Sequence, residues 1–363
     1  TAAVIALGRP TFDIELGAAQ AATARRVLDD VGVSTIGADI VVTDPDTAEN
    51  AVAAIVGEKL DVVVVLQATF TDATNVISIA EASALPVVVW SFPEARVGGR
   101  LRLNSLCGAN LAAFSLRRRG HACSFVHVAP DAAGAGHRVT GAIADACTGG
   151  VQTGVAVDAP RTGVRVEPVA HGAGGPGERL DLHTVRVAER VEERLRRSSV
   201  GVIGAPPSGF EPCRGDDAEI AATLGVRVER LGLDDLFERA STEHNAPIDG
   251  VVDRIMRTLT LDPELSKADI EPSARLYCAM RHVADDRALS AVATRCWPEC
   301  MADFGGAVCT PHAMLTEDQV PGVCEADVLG AVTALVLRLV AGSDPFIADL
   351  VDLDEDDDTS VLW

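Results

Sequence analysis

The chain has 363 residues, of which 48% are hydrophobic and 4% aromatic, so it is long enough for two or three packed domains. Its 31 basic and 53 acidic side chains give a formal net charge of −22, which argues against nucleic acid or an anionic membrane as the main partner. The sequence contains no apolar run long enough to cross a bilayer, and its N-terminus is typical of a strand and not of a signal peptide. We therefore expect a cytoplasmic protein.

The first 130 residues alternate strand and helix signals, which predicts a parallel, doubly wound sheet. The predicted strands are continuous apolar runs: Ala3–Leu7, Thr35–Val42, Asp61–Leu66, Pro86–Trp90 and Cys123–Val128. The helices predicted between them are Leu16–Val31, Pro45–Glu58, Thr71–Ser83 and Leu106–Arg118. Residues 129–180 are richer in Gly, Ala and Pro, end in Gly172–Gly177, and predict crossing loops around one helix near Val139–Cys147.

A second alternating pattern follows, and residues 198–260 predict another α/β unit. The predicted helix Leu182–Arg197 leads into this unit. The predicted elements of the unit are Ser199–Gly204 (strand), Asp216–Leu224 (helix), Val226–Arg230 (strand) and Leu233–Ala240 (helix). The last part predicts a helix from Ser273 to Asp285, a strand Leu289–Cys296, a long helix Asp327–Val340 and a solvated acidic end, Asp349–Asp358. We predict an α/β fold with two Rossmann-like doubly wound parallel-sheet units, followed by the start of a C-terminal catalytic α/β domain. The domain prediction is 1–180 and 181–363.

Nine cysteines form an odd count without a regular framework, in a chain large enough to build its own core. This usage indicates reduced thiols, most of them small buried hydrophobic residues.

Two acidic segments of the last quarter stand among tryptophan, proline and small residues. They are Cys296–Glu299 and Cys324–Ala331. Two carboxylates brought together can hold a hard divalent cation and can also move a proton. Glu299 follows an apolar run, where a strand leaves its sheet, although it could equally be an exposed loop acid. Asp327 opens a helix, so a plain N-cap is its alternative role, and Glu325 could support it.

These segments resemble the L-fucose isomerase and L-arabinose isomerase-like family of aldose–ketose isomerases. The likeness includes the loop Ala205–Phe210 and continues through an apolar helix into Gly342–Asp349. It implies that Glu299 and Asp327 bind Mn²⁺ and transfer a proton between two carbons of the sugar through an enediolate. It also implies a homo-oligomer with sites at subunit interfaces.

The resemblance further implies sugar-binding residues in the first unit. Arg9 stands in a loop directly after the first strand, and Trp90 ends the fourth. Gln67 and Asp72 could hydrogen-bond sugar hydroxyls. The alternatives are a surface ion pair for Arg9, a packing role for Trp90 and ordinary turn chemistry for the other two.

One departure from the family concerns a metal-binding His that the family carries after the second carboxylate segment. This sequence has no histidine after Asp327, and His312 precedes that segment. The chain would then be a truncated product, would need a second chain to supply the His, or would have a decayed site. A non-catalytic sugar-binding protein and one subunit of a split isomerase are therefore the alternative functions.

Two rival sites use other residues. Structural zinc could bind Cys296, Cys300, Cys309 and His312, although buried thiols are the favoured explanation of these cysteines. The glycines of Gly134–Gly136 and Gly172–Gly177 lack the strand-to-helix context of a dinucleotide-binding loop.

Overall fold

A computed structural model of the chain describes residues 1–95, 99–149, 182–242, 245–354 and 357–363. Its contacts divide into two compact units. The described part of unit 1 lies within 1–149 and 348–363, and that of unit 2 within 182–347. Ala348–Trp363 thus groups with unit 1, whereas the domain prediction placed these residues with 181–363. The predicted boundary at 180 and the Gly172–Gly177 segment lie outside the described residues.

Unit 1 contains a parallel sheet with helices between its strands, as predicted. Its strands are β1 (Ala2–Leu7), β2 (Thr35–Ile36), β3 (Val41–Val42), β4 (Val62–Gln67), β5 (Val87–Ser91) and β6 (Cys123–His127). The strand order is β2-β1-β4-β5-β6, and β3 also pairs with β1. The helices are α1 (Ile14–Asp30), α2 (Pro45–Ala53), α3 (Thr74–Ser83), α4 (Ser105–Arg118) and α5 (Ala135–Cys147).

The central strands of unit 1 are buried on both faces, which explains their uninterrupted apolar sequences. Successive side chains point to opposite faces. Val4 and Val64 pack in one core, whereas Ile5 and Val65 pack in the core on the other face. A strand covered by helices on both sides needs no polar face, so continuous valine and alanine runs form it.

The prediction of one strand over Thr35–Val42 was wrong. The segment forms two short strands, β2 and β3, on either side of a bend. Gly37 has a φ of +138° in that bend, and a Cβ there would overlap the Val4 carbonyl oxygen. The backbone therefore passes too close to β1 for any other residue, and this close approach interrupts the strand.

Unit 2 contains a second parallel sheet with the order β10-β9-β7-β8. Its strands are β7 (Ser199–Ile203), β8 (Arg227–Leu231), β9 (Ala291–Thr294) and β10 (Gly322–Val323). Its helices are α6 (Leu182–Leu195), α7 (Asp217–Leu224), α8 (Leu233–Thr242), α9 (Asn245–Thr258), α10 (Lys267–Asp286), α11 (Glu299–Ala302), α12 (Cys309–Glu317) and α13 (Val328–Ala341). The sequence did not predict α9, α11, α12 or β10. Among the described residues, no helix is long and apolar enough to span a membrane.

The acidic end of the chain is not the solvated segment that its composition predicted. It forms an antiparallel hairpin of β11 (Leu350–Asp354) and β12 (Thr359–Leu362), which belongs to unit 1. Asp352 has an exposed fraction of 0%. Its Oδ1 lies 3.1 Å from Nε2 of His127, whose Nδ1 lies 2.9 Å from Oγ of Ser91. The hydrogen bond to His127 offsets part of the cost of burying the Asp352 carboxyl group.

Candidate functional site at the sheet edge of unit 2

Three loops of unit 2 leave neighbouring parallel strands at their carboxyl ends. In the ladder, Val323 of β10 pairs with Ala293 of β9, and Thr294 at the end of β9 pairs with Ile203 at the end of β7. The loops that follow therefore start from one edge of the sheet. In open α/β sheets this edge is the usual place for a ligand.

The loop after β9 carries Glu299, the first residue of α11. The Trp297–Pro298 peptide bond is cis. Arg295 donates to both carboxylate oxygens of Glu299, from Nε to Oε2 at 2.8 Å and from Nη2 to Oε1 at 2.6 Å. The exposed fraction of the Glu299 side chain is 28%. Glu299 is thus neither buried nor a mobile loop acid, because a guanidinium holds it in one orientation.

The loop after β10 carries Glu325 and Asp327. The Ala326 N–H donates to the Thr294 carbonyl at 3.1 Å, which ties this loop to the end of β9. Glu325 and Ala326 both have left-handed backbone conformations, with φ values of 62° and 50°. Two successive residues without glycine in this region are uncommon, and such strain is often found at functional sites.

Asp327 is the N-cap of α13. Its Oδ1 accepts a hydrogen bond from the Gly330 N–H at 2.8 Å. Burial raises the pKa of Asp327 above its usual value, while the N–H groups of Gly330 and Leu329 oppose this rise. Asp327 therefore has the N-cap role that was considered from the sequence. Its raised pKa also makes this carboxyl better able to take up and release a proton.

The third loop follows β7 and contains the predicted Ala205–Phe210 segment. Phe210 has an exposed fraction of 1% and packs edge-on against Trp297, with ring centroids 5.4 Å apart. Cys213 donates from Sγ to Oε2 of Glu325 at 3.7 Å. Arg295 also donates to the Ala205 carbonyl at 3.1 Å. Side chains and backbone groups therefore join the three loops into one structure.

The structure thus places Glu299 and Asp327 in loops that share one edge of the sheet and are joined through Thr294 and Ala326. The convergence of the two carboxylates on one cation stays a prediction. Arg295 is a site residue that the sequence analysis missed. It precedes Glu299 by four residues, and this spacing in a local turn is the signal that could have identified it.

The donor set at this edge does not fit a complete metal site. Among the residues that the structure describes, no group of three or more His, Cys, Asp or Glu side chains is arranged to hold a metal ion. Both oxygens of Glu299 accept hydrogen bonds from Arg295, and Oδ1 of Asp327 caps α13. A cation would find at most part of its ligands here.

The zinc site considered from the sequence is not formed either. Within the described part of the chain, Cys296, Cys300, Cys309 and His312 are not arranged as a group that could hold a metal ion. His312 lies in the core on α12 with an exposed fraction of 5%. Burial lowers its pKa to about 3, so the imidazole is neutral at ordinary pH. All nine cysteines are free, as predicted.

The sugar-binding residues predicted in unit 1 occupy two kinds of position. Arg9 pairs with Asp72 at 2.5 Å and lies over the ring of Phe70, and both charged side chains are about one-fifth exposed, at 22% and 20%. Gln67 is buried, and its Nε2 donates at 2.8 Å to the Thr69 carbonyl and also to Thr71.

Trp90 is also buried in unit 1, where its Nε1 donates to the Val128 carbonyl at 2.9 Å. The amide hydrogens of Gln67 and the indole N–H therefore serve the fold of unit 1. The partly exposed pair of Arg9 and Asp72 offers polar groups at its surface.

Comparison with known proteins gives matches along the whole chain. Residues 3–142 match the family described as fucose/sulfoquinovose isomerase, N-terminal domain. The chain is 27% identical over 364 residues to sulfoquinovose isomerase of Priestia aryabhattai, with 100% of this chain and 72% of that protein covered. It is 29% identical over 327 residues to sulfoquinovose isomerase of Alkalicoccus urumqiensis, with 89% and 63% covered.

Among solved structures, a solute binding protein of an ABC transporter from Agrobacterium vitis, bound with alpha-D-tagatopyranose, aligns over 95% of this chain and 90% of its own. Its TM-score is 0.24 and its identity 11%, values too low to support an inference about fold or ligand.

Proposed function

Because the chain belongs to the fucose isomerase-like family, we propose that it is an aldose–ketose sugar isomerase, an intramolecular oxidoreductase, and that Glu299 and Asp327 carry its chemistry. The observation that carries this proposal is the joining of the two acidic loops at one sheet edge through Thr294 and Ala326. In a reaction that moves a proton between neighbouring carbons, two carboxyl groups held in one place can act as base and acid.

The proposed roles follow from the surroundings of each carboxyl. The Arg295 guanidinium donates to both oxygens of Glu299 and holds this carboxylate in one orientation, which suits a group that removes a proton. Asp327 is partly buried and has a raised pKa, which suits a group that carries a proton to the second carbon. The oxidation state changes at both carbons of the same sugar, so the reaction requires no nicotinamide.

For the substrate, we propose sulfoquinovose, since the matched curated relatives are named sulfoquinovose isomerases. Arg9 and Asp72 are the groups of unit 1 that we propose for contact with sugar hydroxyls. Gln67 and Trp90 are buried in the described structure of unit 1, and their contact with substrate would need a change there. We also propose a homo-oligomer with sites at subunit interfaces, which light scattering would measure.

Mn²⁺ is proposed as the metal, with Glu299 and Asp327 as two of its ligands. When bound, such an ion would polarise the sugar carbonyl and the neighbouring hydroxyl. The described residues do not complete its coordination, so further ligands would come from outside them or from a second chain. A split isomerase, in which a second chain supplies these further ligands, is the second candidate function.

The test is proton exchange in D₂O, followed by NMR. The complete gene product is incubated with sulfoquinovose, fucose and arabinose, with Mn²⁺ or with EDTA. We expect deuterium at C2 of one sugar and product ketose, both lost in Glu299→Gln and retained in Glu264→Gln, an exposed acid of the same unit. No exchange with any sugar would reject the isomerase proposal. Sugar binding without exchange would support a non-catalytic sugar-binding protein instead.

A further inference from the structure

Two thiols begin the two acidic segments of the site. Cys296 precedes Glu299 by three residues, and Cys324 precedes Asp327 by three. Cys296 is buried with an exposed fraction of 6%, and Cys324 is partly exposed. The Cys324 thiol and the Cys296 sulfur are hydrogen bonded to each other. The described structure thus places two sulfur atoms in contact, from segments that are separate in the sequence.

The backbone holds these thiols together. Val323 pairs with Ala293 in the parallel ladder, so Cys324 leaves β10 beside the end of β9. The Ala326 N–H donates to the Thr294 carbonyl, and the Asp327 N–H donates to the Cys324 carbonyl, both at 3.1 Å. These bonds fix the Cys324 loop against the segment that carries Cys296. Neighbouring strands are close enough for their side chains to be joined by a disulfide.

The environment of Cys296 favours its thiolate. The hydrogen bond from Cys324 and the backbone N–H groups of Glu325 and Trp297 hold the pKa of Cys296 below its usual value, against the effect of burial. A thiolate is the form of cysteine that attacks an oxidised sulfur.

The neighbouring cysteines are engaged differently. Cys300 is fully buried, donates from Sγ to the Arg295 carbonyl at 3.1 Å, and has a pKa raised by burial to about 12. Cys213 donates to the Glu325 carboxylate at 3.7 Å. Cys309 is exposed and is the natural competitor for oxidation. The charge of Cys296 acts on Cys300 and Cys309, whereas Cys324 is hydrogen bonded to Cys296.

We propose that Cys296 and Cys324 are a redox-active pair, which a peroxide converts into a reversible intramolecular disulfide. The Cys324 sulfur takes one oxygen from hydrogen peroxide, the O–O bond breaks, and one water leaves. The Cys296 thiolate then attacks that sulfur, the S–O bond breaks, and hydroxide leaves with the remaining proton as a second water. Two thiols are oxidised to one disulfide, and one peroxide is reduced to two waters. A thiol reductant reverses the change.

The disulfide would join the two loops that carry Glu299 and Asp327. Its effect on catalysis rests on the proposed isomerase function, whereas its formation does not. Peptide mapping therefore tests the pair by a readout that is independent of any activity.

The sequence makes this mapping direct. No lysine or arginine lies between Arg295 and Arg338, so trypsin leaves all four nearby cysteines in one peptide. Cleavage after glutamate then separates Cys296–Glu299, Cys300–Glu317 and Asp318–Glu325. The full chain is treated with hydrogen peroxide, alkylated and digested with both proteases. We expect Cys296–Glu299 joined to Asp318–Glu325, with two hydrogen masses lost, and restoration of both free peptides by dithiothreitol.

Variants separate this pair from its neighbours. Cys324→Ser should abolish the joined peptide, and Cys309→Ser, which removes the exposed competitor, should leave it unchanged. Joining of Cys296–Glu299 to Cys300–Glu317 in the wild-type chain would overturn the proposal. So would full alkylation of both Cys296 and Cys324 at a peroxide dose that oxidises Cys309. Both outcomes are read in the wild-type protein, so a variant that fails to fold does not obscure them.

Discussion

The Arg295 guanidinium lies against the Glu299 carboxylate and donates to both of its oxygens, at 2.8 Å and 2.6 Å. The same guanidinium donates to the Ala205 carbonyl of the loop after β7. One cationic side chain therefore fixes the orientation of Glu299, the proposed catalytic base, relative to a second loop of the site. Arg295 acts through Glu299 and is a positioning residue.

Replacing Arg295 tests this role. In Arg295→Gln the carboxylate of Glu299 loses both charge-assisted hydrogen bonds, and we expect kcat/KM for isomerisation to fall about 10- to 100-fold, as is usual for residues that orient an active group. Steady-state kinetics measure the loss.

The matched control is Arg230→Gln. Arg230 of β8 makes a similar two-fold ion pair with Asp217, the first residue of α7, at 2.9 Å and 2.6 Å. Its removal should leave kcat/KM within a factor of about two, because exposed pairs contribute little. Equal losses in both variants would mean that Arg295 supports only the fold.

The pH dependence of stability should reveal the raised pKa of Asp327. A carboxyl that binds its proton more tightly in the folded chain contributes stability below its unfolded pKa and loses it as pH rises through the folded pKa. In Asp327→Asn this contribution is absent, while an amide oxygen can still cap α13. We expect the urea midpoint of the wild type to decline relative to Asp327→Asn from a pH of about 4 upward. Parallel midpoints across that range would contradict a raised pKa.

His312 should make the protein sensitive to acid. Its imidazole is buried with a pKa lowered to about 3, whereas the unfolded chain takes up that proton near a pH of about 6.5. Stability is therefore lost as pH falls from about 6.5 towards 3, by about 5 kcal/mol at most. We expect His312→Leu to show a weaker loss in urea denaturation over this range. His282→Gln, at an exposed position of α10, should behave as the wild type does.

The buried carboxylate of Asp352 should stabilise unit 1 through His127. His127 is only 5% exposed, and its Nε2 is hydrogen bonded to Oδ1 of Asp352. Asp352→Ala removes this hydrogen bond. We expect a loss of about 2 kcal/mol of unfolding free energy, the usual cost of an unsatisfied buried polar group. Urea denaturation measures it. Asp358→Asn, exposed in the same hairpin, is the control and should change stability by less than about 0.5 kcal/mol.

Much of the fold could be predicted because its strands carry local signals. β1, β4 and β5 are buried on both faces, so their sequences are apolar throughout and their positions were predicted to within a residue or two. The position of Glu299 after a strand followed from the same pattern, whereas the strand before Asp327 was not predicted. β10 has only two residues, and a strand this short has no readable period.

The rest of the site depends on contacts between distant residues. His127 and Asp352 are 225 positions apart, so the burial of Asp352 could not be inferred from a local acidic run. The contact between Cys296 and Cys324 likewise depends on the pairing of β9 with β10. Arg295 differs, because its relation to Glu299 is local, and attention to i, i+4 charge pairs would have found it.

Unit 1 is assembled from two segments of the chain that are separated by all of unit 2. The ribosome therefore synthesises His127 long before Asp352. The C-terminal hairpin can pack in unit 1 only after all of unit 2 has been synthesised. A nascent chain released early, within the codons for unit 2, would leave both halves of the protein unfinished. Quality control by chaperones and proteases would then act on the N-terminal unit as well, although every residue of its parallel sheet had been made.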